Sequence, residues 1–543
     1  MCDHHGVQRA AATSGTDAAR PVRTDLGWSW FDTTLVVALA FATIFVHPFH
    51  LLLSRPYWFD ESWVAVLTKA PLTKLPRVSS TTPIGFVVLL RLVPGSGLQR
   101  GRLVVLGFSA LTASTAYVLT RGLGWEQRRT AQFAAAVVAL AVMLMPVSLV
   151  RNDLKPYTCD GFCALLLLLL GLRAEQKKSR RSLFFFALGA AVAMPFSTTV
   201  LFMTVAVFAG LLASAALDRS WRRVVDILVV GLVAGVLLGG YFAAAVAPNV
   251  SSKVHTYWTN FYLAGSVSEV WSLVLNRFDL LSHYLAMPPP VFVGFFAAGI
   301  AMLVRLRARA LAIALPLLWL EMGVLGRLER YPFLDLRTSQ FVLVSSIFVV
   351  ALGAVGVVLA VERLVSSLVP KPFAIAVAAL LGGALAVSYA IGFVPYLRNL
   401  NIPGEDVRTE TRAVAAHLRP GDILLINQSG NFGSSYYWPH AKVDFHRDDS
   451  GQHFATSIAG LDDALYVPTR YAPDVLAALR TAVARWQAAG PGSRLFILRS
   501  HVTNNEQKAW QAALLELRLT DREQVIKAGD PLLLFEKPPV GGS

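Results

Sequence analysis

The sequence predicts a polytopic α-helical membrane protein of about eleven transmembrane helices, followed by a C-terminal soluble α/β domain. Three observations predict it. The 543 residues are 55% hydrophobic and only 15% charged, with a mean hydropathy of +0.53, where soluble domains carry about 25% charged residues. Apolar runs of about 20 residues, enough to cross a hydrocarbon core, recur from Thr33 to Val394. The short loops between these runs alternate between basic and non-basic.

The runs lie near 33–53, 102–120, 131–150, 158–173, 182–195, 197–216, 222–247, 287–304, 308–326, 338–360 and 372–394, with Pro195 dividing the fifth from the sixth. One set of loops holds Arg121, Arg128 and Arg129, then Lys177, Lys178, Arg180 and Arg181, then Arg219, Arg222 and Arg223. The same set continues with Arg305, Arg307 and Arg309, and ends with Arg363 and Lys371. By the positive-inside rule these loops and the N-terminus are cytoplasmic, and an odd number of spans puts the C-terminus outside. Residues 1–32 then form a polar cytoplasmic tail expected to be disordered. The tail has no apolar core with a small-residue cleavage site, so no removable signal peptide is expected. Thr82 to Val93 is apolar but short and contains Arg91, which suits a helix lying on the outer surface better than a span.

The composition changes after about Tyr396, so the chain divides into a membrane domain at 33–395 and an extracytoplasmic α/β domain at 396–543. A helix is expected over Asp406–Leu418, strands over Asp422–Asn427, Arg494–Arg499 and Pro531–Glu536, and a second helix over Asn505–Leu517. The net charge of +15 belongs to the membrane part, which removes the usual case for a nucleic-acid partner. Gln428-Ser429-Gly430-Asn431-Phe432-Gly433 completes no phosphate-loop pattern and reads as a strand-to-helix turn. Tyr436-Tyr437-Trp438 fits either a sugar-stacking platform or a core. Cys159 and Cys163, four apart on a helix, have no further ligands at metal spacing and read as packing residues.

The chemistry-bearing residues concentrate on the outer side. Asp60-Glu61 follows the first span within Arg55-Pro56-Tyr57-Trp58-Phe59-Asp60-Glu61-Ser62-Trp63. Carboxylates beside a bilayer are costly, so their presence there points to function. Arg151-Asn152-Asp153-Leu154-Lys155-Pro156-Tyr157 follows the third span, and Tyr331 to Arg337 lies in a late outer loop. Each cation alone is accounted for by snorkelling toward lipid headgroups. Their grouping beside carboxylates fits transfer of a group off a phosphate leaving group, with a carboxylate as base and Arg forks on phosphate oxygens. The chain has no HExxH and no Walker loop.

The order of these parts resembles the GT-C superfamily of polytopic glycosyltransferases, in particular the branch with protein O-mannosyltransferases and the aminoarabinose transferase of lipid A. The carrying residues are Asp60-Glu61, Thr81-Thr82-Pro83, the RNDLKPY segment from Arg151 to Tyr157 with Asp160 after it, and Tyr331-Pro332-Phe333 with Arg337. The resemblance implies an inverting glycosyltransferase using a polyprenyl-phosphate sugar donor and a cell-envelope glycan, lipid or protein acceptor, at the outer face of a plasma membrane. It implies Asp60 as general base and Glu61 orienting the acceptor or an optional divalent cation (Mg or Mn). Arg151, Lys155 and Arg337 would hold the donor phosphate, and Tyr57, Asp153, Tyr157 and Tyr331 would line the substrate site. There is no clear Asp-x-Asp metal pair, and no metal ligand set is assigned. Two alternatives are a transporter or flippase of a lipid-linked sugar, which calls for mid-span ionisable residues and internal repeats, and a non-catalytic scaffold that binds cell-wall polymer, which would keep full function after Asp60→Ala.

The charge pattern generates a topological prediction. A cysteine introduced at Ser179 is expected to resist a membrane-impermeant thiol reagent applied to intact cells, whereas one at Ser543 is labelled. Labelling at position 179 from outside overturns the arrangement.

Overall fold

The computed structural model describes residues 27–47, 49–79, 82–93, 99–145, 154–249, 252–398, 404–448, 453–461, 463–519, 523–526 and 532–537. The principal helices of the first part are α1 (Trp30–Val46), α2 (Phe59–Leu67), α3 (Ile84–Arg91), α4 (Arg102–Arg121), α5 (Arg128–Met143), α6 (Tyr157–Lys177) and α7 (Arg180–Ala193). They continue with α8 (Val200–Leu217), α9 (Trp221–Tyr241), α10 (Val267–Tyr284), α11 (Pro289–Arg305), α12 (Arg309–Arg327), α13 (Gln340–Ser366) and α14 (Lys371–Arg398). Among the described residues, seven helices are long and apolar enough to cross a membrane: α4, α6, α8, α9, α12, α13 and α14. The remaining expected runs are also helical but shorter. α1 and α11 have 17 residues each, α5 has 16 and α7 has 14.

Local chemistry sets several boundaries. α1 begins at Trp30 because Ser29 and Asp32 form a reciprocal capping box, which satisfies N–H groups that a helix end leaves open. Asp32 is buried and accepts hydrogen bonds from Tyr117 Oη at 2.8 Å and Arg121 Nε at 3.0 Å. Residues 30–32 therefore belong to the bundle rather than to the polar tail, and residues 1–26 lie outside the described residues. α7 ends at Ala193, and α8 begins after Pro195, which cannot continue a helix ladder. The Pro195 carbonyl instead accepts the N–H of Gly85 at 2.7 Å. α3, with eight residues, is too short to span and docks there.

The bundle packs through small residues. A Cβ on Gly353 of α13 would fall 1.9 Å from the Phe295 carbonyl oxygen of α11, and one on Gly299 would fall 2.1 Å from the Val349 oxygen. These glycines let two backbones touch, as is common between membrane helices. The basic loops gather at one end of the bundle. Asp218 there bridges Lys178 at 2.8 Å and Arg309 at 3.1 Å, and Glu175 accepts the Ala310 N–H at 2.9 Å. The other loops meet at the opposite end, where Leu263 N–H bonds Gly326 and Phe333 N–H bonds Phe261.

The C-terminal part comprises α15 (Val407–His417), α16 (Gly430–Tyr437), α17 (Ala472–Ala488) and α18 (Asn504–Glu516). Its strands are β1 (Ile423–Ile426), β2 (Val443–Asp448), β3 (His453–Ile458), β4 (Leu465–Tyr466), β5 (Arg494–Leu498), β6 (Glu523–Ile526) and β7 (Leu532–Glu536). One sheet runs β4-β1-β5-β7-β6, with β1 parallel to β4 and β5, and β7 antiparallel to β5 and β6. α17 and α18 cover one face with Val475, Leu479, Trp510 and Ala513 against Leu425, Ile497 and Phe535. α15, α18, β1, β5 and β7 fall on the expected segments; within the 428–433 segment, residues 428–429 make the turn from β1 and 430–433 already form the start of α16. α17 and the β2–β3 hairpin were not expected. The hairpin contributes Phe445 and Phe454 to a third apolar cluster shared with Val66, Leu67 and Val87 of the segment between α1 and α4. The C-terminal domain is thus joined to that segment by a common core.

Gly353→Ala is expected to destabilise the protein by about 1–3 kcal/mol through overpacking. Gly235→Ala, where a Cβ meets open space, should stay within about 0.5 kcal/mol. Thermal unfolding in detergent, read for both variants beside the parent, checks the difference.

Candidate active site

Asp60 and Glu61 sit in the first turn of α2, where the helix dipole favours negative charge. Adjacent positions on a helix face about 100° apart, and here that rotation divides the two carboxylates. Glu61 is fully buried. Its Oε1 accepts from Arg102 Nε at 2.6 Å and from the Leu154 N–H at 2.9 Å. Its Oε2 accepts from Arg102 Nη2 and, at 3.3 Å, from the Trp58 N–H, which closes the start of α2. Arg55 lies 3.5 Å away as a second cation. Arg102 is itself buried, and its other hydrogens go to the carbonyls of Leu52 at 2.6 Å, Arg55 at 2.7 Å and Pro56 at 3.0 Å.

Asp60 points the other way and keeps partial access to solvent, 22% for its side chain. Its Oδ2 accepts from Arg337 Nη1 at 3.1 Å. Arg337 Nη2 donates to Tyr257 Oη at 2.6 Å. Burial alone would pull the Arg337 guanidinium down; Tyr157, Tyr257, Asp60 and Asp335 outweigh it and hold the group above its ordinary value. The loop that carries Arg337 is tied by Asp335, whose Oδ2 accepts the N–H groups of Arg337 at 3.1 Å and Thr338 at 2.9 Å. Tyr331 Oη donates to the Thr338 carbonyl at 2.7 Å, and its ring packs on Phe202 and Phe341. Burial, then the charge of Asp160, pushes the Tyr331 phenol well above its usual value, so it remains a neutral donor.

The structure therefore brings Asp60 and Arg337 together with Tyr257, a residue that sequence reasoning missed. Lys155 stands beside the same helix, its Nζ 5.7 Å from the centre of the Trp63 ring. Tyr157 lies close enough to act on the charges of Arg337 and Tyr331, and it lines a small pocket with Thr43, His47, Thr112, Thr158 and Gln340. Asp160 is buried and accepts from Ser197 Oγ at 2.6 Å. Tyr57 is placed differently from the other tyrosines. Its ring is buried between the Arg102 guanidinium at 4.8 Å and the rings of Tyr436 and Tyr437. Arg151 and Asp153 lie outside the described residues, as does Thr81. Arg102 was a missed residue with a legible signal: a cation in the first turn of a helix opposes the helix dipole, so it calls for a buried anion nearby.

Among the described residues, no group of three or more His, Cys, Asp and Glu side chains is placed to hold a metal ion. Both Glu61 oxygens are taken by N–H donors and Asp60 faces a guanidinium, so the described residues do not compose a divalent-cation site.

The fold is similar to those of two solved membrane transferases. Over 93% of the chain and 97% of the other, it matches ArnT from Cupriavidus metallidurans bound to undecaprenyl phosphate, at 15% identity and a TM-score of 0.50. The apo state of the same ArnT matches over the same extents and with the same score. The Archaeoglobus fulgidus oligosaccharyltransferase, in its complex with Zn and sulfate, matches 74% of this chain at 13% identity and a TM-score of 0.51. The chain spans 61% of the length of that archaeal protein. No family model and no curated protein matches the chain.

Arg102→Ala is expected to cost about 3–5 kcal/mol, because it leaves the Glu61 charge buried without its partner. Arg102→Lys should lose less, since it keeps the charge but not the planar fork. Thermostability and recovery of monodisperse protein from membranes are the measurements.

Proposed function

We propose that the chain is a glycosyltransferase that moves a sugar from a polyprenyl-phosphate donor to a cell-envelope acceptor at the outer face of a plasma membrane. The observation that carries this reading is the Asp60–Arg337 pair, a partly exposed carboxylate in contact with a guanidinium, the group best shaped to fork onto phosphate oxygens, within this fold. The eleven-span topology belongs to the same reading, with the N-terminus inside and the C-terminal domain outside. The pairing of the basic loops at one end of the bundle supports it, and so does the meeting of the first, second and last of the segments assigned to the outside at the other.

Asp60 takes the proton of the acceptor hydroxyl. The hydroxyl oxygen attacks the anomeric carbon from the face opposite the phosphate, and the bond from that carbon to the phosphate oxygen breaks. The electron pair leaves with the polyprenyl phosphate, whose charge falls to Arg337 and Lys155, with Arg151 assigned by the resemblance. One displacement inverts the anomeric centre. A phosphate leaves without a strong acid, so one carboxylate serves where glycosidases use two. Tyr257 and Tyr157 hold Arg337 in place. Asp153, and Tyr331 through its loop, complete the substrate side. Glu61, bonded to Arg102 and to two backbone N–H groups, sets the direction of α2 and thereby of Asp60. Tyr57, buried under Arg102, supports the same segment.

Asp60→Asn is expected to lower turnover by about 10²–10⁴-fold, the usual effect of losing a general base, while leaving insertion and binding of the lipid phosphate intact. The assay is sugar release from a radiolabelled polyprenyl-phosphate donor by purified protein. Turnover near the parent's removes Asp60 from the mechanism, and full function in the envelope favours a scaffold.

A further inference from the structure

The segment that carries Asp60 is held on both sides by the C-terminal domain. Glu405 Oε2 accepts the N–H of Phe59, the residue before Asp60, at 3.2 Å. Glu405 Oε1 bonds Nδ1 of His501. The His501 ring stacks on Phe59 with centroids 5.3 Å apart and planes 12° apart, and Arg470 covers the same ring at 5.1 Å. Further along α2, Trp63 stacks on Phe432 at 5.4 Å and meets Phe454 at 5.9 Å. Upstream, the Tyr57 N–H donates to Tyr437 Oη at 2.7 Å, and that hydroxyl donates to Gln99 at 3.1 Å. Beyond α2, Lys69 Nζ donates to the carbonyls of Ser435 at 3.0 Å and Tyr436 at 2.7 Å. His501 itself has φ of +53°, a left-handed conformation that a non-glycine residue adopts only when its surroundings hold it there.

The first N–H groups of a helix lack intrahelical partners. α2 receives one from inside the bundle, through Glu61, and Phe59 receives Glu405 from the C-terminal domain. Resting on the proposed role of Asp60, we propose that Glu405 and His501 are positioning residues for the base: together they fix the first turn of α2 and hence the place of the Asp60 carboxylate. The C-terminal domain then works on the transfer step itself, and Tyr436-Tyr437 serve as its anchor on the first outer segment. A misplacement of about 1 Å at a reacting group costs up to roughly 100-fold in rate, so a clamp one residue away has leverage on turnover without touching substrate.

The test uses full-length protein with three substitutions: Glu405→Ala, Glu405→Gln and His501→Phe. Two readings are taken, the kcat and KM for the donor and amide hydrogen exchange along the whole chain, residues 57–69 included. The proposal expects Glu405→Ala to lower kcat by about 10–100-fold, with donor KM within about twofold of the parent's. Exchange should accelerate at the start of α2 and nowhere else. Glu405→Gln keeps an oxygen for the Phe59 N–H and is expected to recover most of the loss. His501→Phe keeps the stacked ring and tests the Glu405 bond alone, with an intermediate loss expected. Unchanged exchange at α2, a change in KM alone, or an equal loss of protection throughout the chain overturns the proposal. Failure of the base reading shows separately, as an Asp60→Asn enzyme that still turns over while the exchange result for Glu405→Ala stands.

Discussion

The buried Arg102–Glu61 pair is the constraint on which the candidate site depends. Two unit charges taken out of water are costly unless their hydrogen-bonding capacity is filled. Here Glu61 receives Arg102 and the N–H groups of Leu154 and Trp58, while Arg102 reaches the carbonyls of Leu52, Arg55 and Pro56. One ion pair thereby ties the end of the first membrane segment, the start of α2, the start of α4 and the segment ahead of α6. Any rotation of α2 that exposed Glu61 would strand a buried guanidinium. With Glu61 locked inward, its neighbour Asp60 has one direction left, outward to Arg337.

The apolar contacts act in the same sense. Tyr57 lies over Arg102 and under the tyrosines of α16. Phe59 and Trp63 enter a cluster of rings from the C-terminal domain. Aromatic residues near the surface of a membrane protein are commonly interfacial anchors. In this stretch they are instead the cement between two domains. Arg337 is held with comparable strictness by Asp335 and Tyr257, so both members of the pair at the mouth of the bundle are supported by residues that do not themselves face it.

Much of this was legible in the sequence. Composition and loop charge point to eleven spans, and the described residues of each form a helix, seven of them long and apolar enough to cross a membrane, as expected where the bilayer forces the chain to satisfy its backbone internally. Asp60 and Arg337 were both singled out, although 277 positions separate them, because each stood out chemically against an apolar background. Their neighbours were less visible. Asp60 and Glu61 look equivalent in a linear string, and only the helical rotation together with Arg102 tells them apart. Tyr257 lies in a stretch without a motif. The aromatics Tyr436 and Tyr437 left two readings open because stacking on sugar and stacking on Tyr57 ask for the same side chains. The hairpin β2–β3 was missed because its strand residues include Asp444, His446, Arg447 and Asp448, a polar pattern that only the contact of its far face with the segment between α1 and α4 explains.

The long sequence separations in the clamp have a consequence for biosynthesis. Phe59 meets Glu405 across 346 positions, and Tyr57 meets Tyr437 across 380. At roughly 5–20 residues per second of synthesis, α2 leaves the ribosome some 20–70 s before its clamp exists. During that interval the helix has its buried ion pair but no cover for Phe59 and Trp63. A nascent chain halted anywhere in the membrane domain would thus expose two large rings at the membrane surface, a ready signal for quality control. Maturation of the site becomes a late event, coupled to delivery of the final domain to the same side of the membrane as the first loop.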